Sequence, residues 1–304
     1  MAGDVTDPTP GRRRYAELST GRPDFVATHE PWDDAQRAAA RELERSLDSL
    51  DFVRVAFGDP HGLARSKTLT TDAFRTVLRN GMDYSPGPFV FDTGHAVAVD
   101  FFRDGGGIGV PELTGAGDFI VLPDPLTFRV LPHTTARTGW VIGDEYLRSG
   151  EPHPLSSRRV LRETVARLAE RDLEMVVGLE AEWYLTRLVD AVAERHVGGF
   201  GTQGDAPAVA PVNAGYQFNL DGLVDALAPV LDPLADAILR LGMPLRTIEH
   251  ESGPGQLEFT FAPLDALAAA DAMLLFRTVT KQVCARLGHH ASFMALPDLS
   301  LIHI

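Results

Sequence analysis

The sequence predicts an α+β protein made of two parts. Short strand-like runs separated by Gly and Pro dominate the chain up to about residue 145, and the chain after about residue 150 mixes helical and strand patterns. The 304 residues are 44% hydrophobic and 23% charged, which is a globular composition with room for two domains. We therefore expect a sheet-rich first domain followed by a second, mixed domain.

The charge balance excludes several classes of function. With 28 Lys and Arg against 42 Asp and Glu, the formal charge is −14, which repels nucleic-acid phosphates and anionic lipids. The N-terminal residues lack the apolar core of a secretory signal, and no apolar run approaches the roughly 20 residues of a membrane span. We expect a soluble, cytoplasmic protein without nucleic-acid or membrane partners. Cys284 is the single cysteine and is expected to be a small core residue.

The first part of the chain is expected to be a tail and a small domain. Residues 1–30 are rich in Pro, Gly, Thr and charge without apolar periodicity, which predicts a mobile tail. The domain then covers residues 31–145 and begins with a helix over residues 34–50, capped by Asp33 or Asp34. Alternating and β-branched runs predict its strands, which we place at residues 52–57, 64–69, 89–91, 96–99 and 119–122.

The second part, residues 151–298, is expected to combine helices with strands. Serines in the turn-rich segment 151–157 can cap a helix, and Pro263 can open another that Gly288 ends. The expected helices cover residues 158–171, 220–242 and 263–287. The expected strands cover residues 173–185, 245–251 and 256–261, and residues 186–215 are expected to be a loop.

Two pairs of glutamates are candidates for chemistry. A strand would place Glu180 and Glu182 on one face, because side chains alternate with period two. The turn at residues 252–255 (SGPG) can fold the chain back and bring Glu251 and Glu258 together. Such a cluster suits Mg²⁺ or Mn²⁺, which often orient phosphates. A water-exposed strand face without any cation is the alternative interpretation.

The order of the motifs along residues 50–297 resembles the glutamine synthetase family, including its γ-glutamyl-amine ligases. The similar segments are 58–67 (GDPHGLARSK), 119–127 (FIVLPDPLT), 178–184 (GLEAEWY), 250–258 (HESGPGQLE), and 270–271 (AD) with 291–297 (ASFMALP). Leu296 stands where the family usually has Lys. Each motif alone is weak evidence for the family, and the resemblance rests on finding all of them in the family's order.

The resemblance implies a fold, a reaction and a set of site residues. It implies an N-terminal β-grasp-like domain, then a catalytic domain whose curved antiparallel sheet holds two Mg²⁺ or Mn²⁺ ions. ATP would phosphorylate glutamate, and ammonia or an organic amine would displace the phosphate. Glu182, Glu251 and Glu258 would bind one metal, Glu180 the second, and Glu251 is the expected catalytic residue. Active sites would lie between subunits of a homo-oligomeric ring.

The acceptor pocket departs from the pattern of the ammonia-using members. Tyr216 resembles the tyrosine that lines the family's amine pocket, although a half-buried packing role suits it nearly as well. Ser85, in segment 84–88 (YSPGP), stands where those members carry an Asp that binds ammonium. A hydroxyl offers no negative charge to ammonium, so the sequence favours an organic amine as acceptor.

The end of the chain also departs from the family. The expected N-G-[ST]-G-x-H-x-H segment, the arginines and the last metal-binding Glu are absent after Pro297. Residues 299–304 (LSLIHI) read like a translation of CTGTCTCTTATACACATC, a transposase adapter used in sequencing libraries. We therefore expect a C-terminally truncated catalytic domain and an inactive fragment. The alternative function is a glutamine synthetase-like scaffold without activity.

Overall fold

The structure is a computed structural model that describes residues 23–97, 99–189, 204–295 and 297. Most of the predicted tail and the segment 299–304 lie outside these residues, as do Leu296 and most of the central part of the predicted loop 186–215.

The first part of the chain folds around a six-stranded mixed sheet. Its helices are α1 (Phe25–His29), α2 (Asp34–Ser46) and α3 (Thr71–Asn80). Its strands are β1 (Phe52–Gly58), β2 (Ala64–Thr70), β3 (Met82–Tyr84), β4 (Phe119–Pro123), β5 (Arg129–Val130) and β6 (Thr138–Tyr146). The strand order is β2-β1-β6-β4-β3, with β5 also paired to β6, and β1 runs parallel to β6. The predicted hairpin and the cap by Asp33 are confirmed, and the β-grasp-like fold stays a prediction.

Two predictions for this part are wrong. The tail does not extend to residue 30, because Asp24 caps α1 and both Phe25 and Val26 are buried. Residues 89–91 form no strand, since Gly87–Phe89 is a 3₁₀-helical turn. Pro86 and Pro88 fix φ and cannot donate to a sheet, so Phe89 is buried in a turn instead. Residues 96–99 contribute only the isolated bridge between Phe91 and Val97 among the described residues.

The second part packs helices against a smaller antiparallel sheet. Its helices are α4 (Ser157–Ala169), α5 (Asp221–Ala226), α6 (Ala228–Arg240) and α7 (Ala266–Arg286). Its strands are β7 (Val176–Val177), β8 (Glu180–Leu188), β9 (Val209–Pro211), β10 (Leu245–His250), β11 (Gln256–Phe261), β12 (Leu264–Asp265) and β13 (His289–Ser292). The sheet order is β10-β11-β8-β13 with β9 on β8, and all these pairs are antiparallel as predicted.

Three boundaries in this part differ from the prediction. The strand expected over residues 173–185 is two strands, β7 and β8, and β8 continues to Leu188. The predicted loop 186–215 therefore contains the end of β8 and also β9. The helix expected over residues 220–242 is divided into α5 and α6, because Pro229 cannot donate to the carbonyl four residues earlier.

The core of the second part lies between its sheet and the helices α6 and α7. Trp183 and Phe259 point from neighbouring strands into this core, and Phe276 of α7 packs against them. Cys284 of α7 is fully buried, as predicted, and burial raises the pKa of its thiol to about 12. Among the described helices, none combines the length and apolarity needed to cross a bilayer.

One buried arginine joins the two parts of the chain. Arg158, in the first turn of α4, donates to Asp271 of α7 through Nε (2.9 Å) and Nη2 (2.8 Å). It also donates to Asp144 on β6 (2.6 Å) and to Asp124 just after β4 (2.8 Å). Gln36 of α2 donates to the second oxygen of Asp124. Elements from both parts therefore converge on one guanidinium, because each buried carboxylate needs a cation or a donor.

Replacing Arg158 by Met should lower the free energy of unfolding by about 3–5 kcal/mol, because the mostly buried Asp271 loses its cation and Asp124 and Asp144 keep only Arg162 among the described residues. Arg159→Met is the matched control on the same helix. Among the described residues Arg159 forms an ion pair only with the exposed Glu163, so its loss should cost about 0–1 kcal/mol. Urea unfolding followed by circular dichroism measures both values. Equal losses for the two variants would show that Arg158 does not join the two parts.

Candidate metal centre

Three glutamates stand directly opposite one another across the sheet of the second part. In the register of β8, β11 and β10, Glu182 faces Glu258, and Glu258 faces Glu249. Glu180 lies one row further and faces Thr260. The apolar residues Trp183 and Leu257 pair on the opposite, buried face. The predicted placement of Glu180 and Glu182 on one face is thus confirmed.

Glu251 joins this row from the turn between β10 and β11. Its amide donates to the carbonyl of Gln256 (3.0 Å), which closes the turn. Gly255 has φ +73°, and a Cβ there would lie 2.4 Å from the carbonyl oxygen of Leu185, so the turn requires glycine. One carboxylate oxygen from each of Glu249, Glu251 and Glu258 lies within 4.8 Å of the others. These three side chains are thus close enough to share one cation.

The observed cluster differs in one member from the set implied by the sequence. The expected ligands of one metal were Glu182, Glu251 and Glu258, whereas the geometry groups Glu249 with Glu251 and Glu258. Glu182 lies beside them but accepts a hydrogen bond from Gln256 Nε2 (2.6 Å). In the sequence, Glu249 and His250 make the segment before Glu251 dense in metal-ligand atoms, but the resemblance assigns no metal to Glu249. Its position opposite Glu258 in the register of β10 and β11 supplies the missing signal. The assignment of metals to these residues stays a prediction.

The charges of the row are not neutralised by basic side chains. Within the described part of the chain, Glu180, Glu182, Glu249, Glu251 and Glu258 form no ion pair with Lys or Arg. Burial, followed by the charges of the four other glutamates, raises the pKa of Glu258. Carboxylate oxygens gathered without a basic partner are the donor set that Mg²⁺ or Mn²⁺ prefers. The residues present therefore fit a hard divalent cation.

Polar neighbours orient the outer glutamate of the row. The Thr247 hydroxyl donates to Glu249 Oε1 (2.6 Å) and also contacts the hydroxyl of Thr260. Asn219 Nδ2 lies 3.5 Å from Glu249 Oε2. These contacts leave the net charge of the cluster unchanged, since hydroxyl and amide groups are neutral.

The structure holds Tyr216 next to the turn that carries Glu251. The Tyr216 amide donates to the carbonyl of Ser252 (2.8 Å), and 57% of the residue is exposed. A Cβ on the preceding Gly215 would lie 2.7 Å from the nitrogen of Pro254, so this close approach requires glycine. The backbone of Tyr216 is therefore held beside the turn that follows Glu251, and its role in an acceptor pocket stays a prediction.

Asn213 and His250 support this contact, and the sequence analysis did not identify their interaction. Asn213 Oδ1 accepts from the amides of Gly215 (3.1 Å) and Gly255 (3.0 Å). The side-chain amide nitrogen then donates to Nε2 of the fully buried His250 (3.2 Å). One side chain thus joins the Tyr216 segment to the turn between β10 and β11. Because Asn213 and His250 are 37 positions apart, no short sequence pattern predicts their contact.

Ser85 is not brought to the glutamates of its own chain. It is exposed and directly follows β3, the end strand of the first sheet, and its hydroxyl accepts weakly from the Gly87 amide (3.4 Å). The glutamates lie on the other sheet. The expectation that Ser85 completes the site of a neighbouring subunit stays a prediction.

Known proteins resemble the chain in sequence and in fold. Residues 154–301 match the family model of the glutamine synthetase catalytic domain. A gamma-glutamylanilide synthase of Acinetobacter sp. is 36% identical, over 91% of this chain and 56% of its own length. The gamma-glutamylpolyamine synthetase GlnA3 of Streptomyces coelicolor is 30% identical, over 95% of this chain and 53% of its own length. The chain thus spans about half the length of these relatives.

A solved structure supports the same fold. The structure described as "GmaS/ADP complex-Conformation 1" superposes with a TM-score of 0.64 at 24% identity. The superposition covers 88% of this chain and 53% of that one.

Adding Mn²⁺ should raise the melting temperature, because the cation binds the clustered carboxylates of the folded chain only. A free Mn²⁺ concentration of about 100 times Kd raises the free energy of unfolding by about 2.7 kcal/mol. Each added kcal/mol raises the melting temperature by about 2–4 °C for a domain of this size. Glu258→Gln should lose most of this shift. Glu112→Gln, which removes an exposed carboxylate in the first part of the chain, should keep it.

The same variants separate metal binding from general damage. Without metal, Glu258→Gln should melt no lower than the parent at neutral pH, because the raised pKa of Glu258 means that its ionisation destabilises the fold. Thermal unfolding with and without Mn²⁺ measures both the shift caused by the metal and the effect of Glu258→Gln on the melting temperature without metal. If the parent shows no Mn²⁺ shift, the inactive scaffold becomes the better interpretation.

Proposed function

The chain belongs to the glutamine synthetase family, and from this premise we propose that it functions as an ATP-dependent ligase that joins an organic amine to the γ-carboxylate of glutamate. The observation that carries the proposal is the un-neutralised glutamate cluster, in a chain whose two cited relatives are both named for γ-glutamyl amines. Clustered carboxylates without a basic partner have no role in packing, but they suit cation-assisted phosphoryl transfer.

The glutamate cluster would hold Mg²⁺ or Mn²⁺. Glu249, Glu251 and Glu258 are the ligands that the geometry favours for one ion, and Glu180 and Glu182 lie beside them for a second. When bound, the cations supply positive charge against the phosphate oxygens. Glu251 is the proposed catalytic residue, and its proximity to Glu249 and Glu258, together with the backbone contact of Tyr216 to the adjacent Ser252, supports this proposal.

The proposed reaction has two displacement steps. An oxygen of the glutamate γ-carboxylate forms a bond to the γ-phosphorus of ATP, and the bond to ADP breaks. The amine nitrogen then forms a bond to the acyl carbon of γ-glutamyl phosphate, loses a proton, and inorganic phosphate leaves. The chain binds and orients the reactants, since phosphoryl transfer depends mainly on positioning and charge stabilisation.

The acceptor is proposed to be an organic amine rather than ammonia. Ser85 is neutral, so it gives ammonium none of the charge attraction that a carboxylate would. Tyr216 is largely exposed beside Glu251 and offers a flat apolar surface for the carbon part of an amine. Because Ser85 lies on the other sheet, we propose that it serves the site of a second copy in a ring of subunits.

The product of the complete gene should use at least one organic amine with a kcat/KM about tenfold or more above that for ammonium, which corresponds to about 1.4 kcal/mol in the transition state. Aniline, methylamine and spermidine are suitable test amines. ADP release with glutamate and ATP measures the rates, and mass spectrometry identifies the γ-glutamyl product. Turnover of ammonium well above every organic amine would refute the proposed acceptor.

Ser85→Asp should improve the use of ammonium, because a carboxylate adds a charged hydrogen bond worth about 1.5–3 kcal/mol, or about 10- to 150-fold in kcat/KM. Ser85→Asn is the control, since it has nearly the size of Asp without the charge. The same ADP-release assay compares both variants with the parent. An equal gain in the two variants, or none in either, would remove Ser85 from the acceptor site.

A further inference from the structure

A cavity of about 400 Å³ lies between the two parts of the chain. It is bounded by the end of β1, by β6 and by the helices α4 and α7, and none of the clustered glutamates lines it. A Cβ at Gly58 or Gly62 would approach the lining side chains of Leu274 or Arg277, so glycine at these two positions leaves the space open. Its volume falls within the range of about 300–1,000 Å³ typical of small-molecule sites, which favour domain interfaces.

The walls of this cavity are mostly apolar. Ile142 of β6, Leu161 of α4, and Met273 and Leu274 of α7 line it. Leu161, Met273 and Leu274 are only partly buried, so a ligand could still cover part of their surface. These side chains suit a hydrocarbon or aromatic group.

The Glu145 carboxylate lies at this cavity without a basic partner among the described residues. It lines the cavity, is 2% exposed, and accepts a hydrogen bond from the Ser156 hydroxyl (2.5 Å). It has no ion pair with Lys or Arg among the described residues. Burial raises the pKa of this carboxyl to about 7, so it is about half ionised at neutral pH. A buried carboxylate without a basic partner favours a cationic ligand.

The basic groups that line the cavity are occupied by other partners. Arg158 is bound by Asp124, Asp144 and Asp271. Arg277 donates to the carbonyl of Gly62 (2.8 Å), and its guanidinium lies 5.5 Å from the centroid of the Phe293 ring. Around Glu145, Asp144 adds further negative charge and Arg158 only partly offsets it. Neither arginine forms an ion pair with Glu145 in the described part of the chain, so this carboxylate is not neutralised by the basic side chains of the cavity.

We propose that this cavity binds an organic ammonium ion, with its nitrogen at the Glu145 carboxylate and its apolar part against Leu161, Met273 and Leu274. This site is separate from the glutamate cluster and does not depend on the proposed reaction. Since its walls come from both parts of the chain, a bound amine adds contacts between them and stabilises their present arrangement. The site would allow an amine to act as an effector of this protein.

Calorimetric titration of the chain with benzylammonium at about pH 8, where Glu145 is largely ionised, tests the charge requirement. Benzyl alcohol has a similar shape without the charge, and benzoate has the opposite charge. We expect benzylammonium to bind at least about tenfold more tightly than benzyl alcohol, with no binding of benzoate. No binding of benzylammonium, or equal binding of benzyl alcohol, would overturn the proposal.

Three variants locate the bound amine. Glu145→Gln can still accept from Ser156, and it should abolish the preference for benzylammonium over benzyl alcohol. Ala270→Trp places a large ring at an exposed lining position and should prevent binding of both. Glu258→Gln should leave the titration unchanged. The amine binds elsewhere if Glu145→Gln still prefers benzylammonium over benzyl alcohol, or if Ala270→Trp still binds benzylammonium. Loss of benzylammonium binding in Glu258→Gln would also place the amine elsewhere.

Discussion

The register of β8, β11 and β10 is the constraint on which both the core and the candidate metal centre depend. It sets Trp183 opposite Leu257 on the buried face and Glu182 opposite Glu258 on the other face. Like charges directly across a sheet repel, so the carboxylates themselves disfavour this pairing. A slip by one residue would bury the carboxylates and expose Trp183, which costs far more. The apolar face therefore imposes the close approach of the glutamates.

The two parts of the chain are joined by charge rather than by apolar contact alone. Arg158 collects carboxylates from the first sheet and from α7, and so it fixes where α4 and α7 lie against β6. An arginine suits this position because its planar group can serve several carboxylates in fixed directions. The cavity that Glu145 lines is a consequence of the same junction, since α4 and α7 meet β6 across it.

Local patterns predicted much of this fold, and long-range contacts account for what they missed. Alternation was enough to place Glu180 and Glu182 on one face, and the Gly-Pro-Gly turn was enough to bring Glu251 near Glu258. The inclusion of Glu249 required the register, which a sequence does not contain explicitly. The strand expected at residues 89–91 failed because proline geometry outweighs aromatic β-propensity. The role of Arg158 depends on Asp271, which is 113 residues away.

The contrast between two groups of carboxylates indicates what each is for. Asp124, Asp144 and Asp271 surround Arg158, and Arg162 also pairs with Asp124 and Asp144, so each of these carboxylates has a basic partner within the fold. Burial raises the pKa of Asp271, but the nearby Arg158 acts against this rise. The glutamate row has only neutral hydrogen-bond partners in the described residues, and the pKa of Glu258 is raised. A carboxyl whose pKa is raised by folding holds its proton more tightly in the folded state, so its ionisation makes folding less favourable as pH rises. At neutral pH the ionised Glu258 therefore opposes the stability of the sheet that carries it. Stability does not account for such a cluster, and the proposed divalent cation would balance its charge.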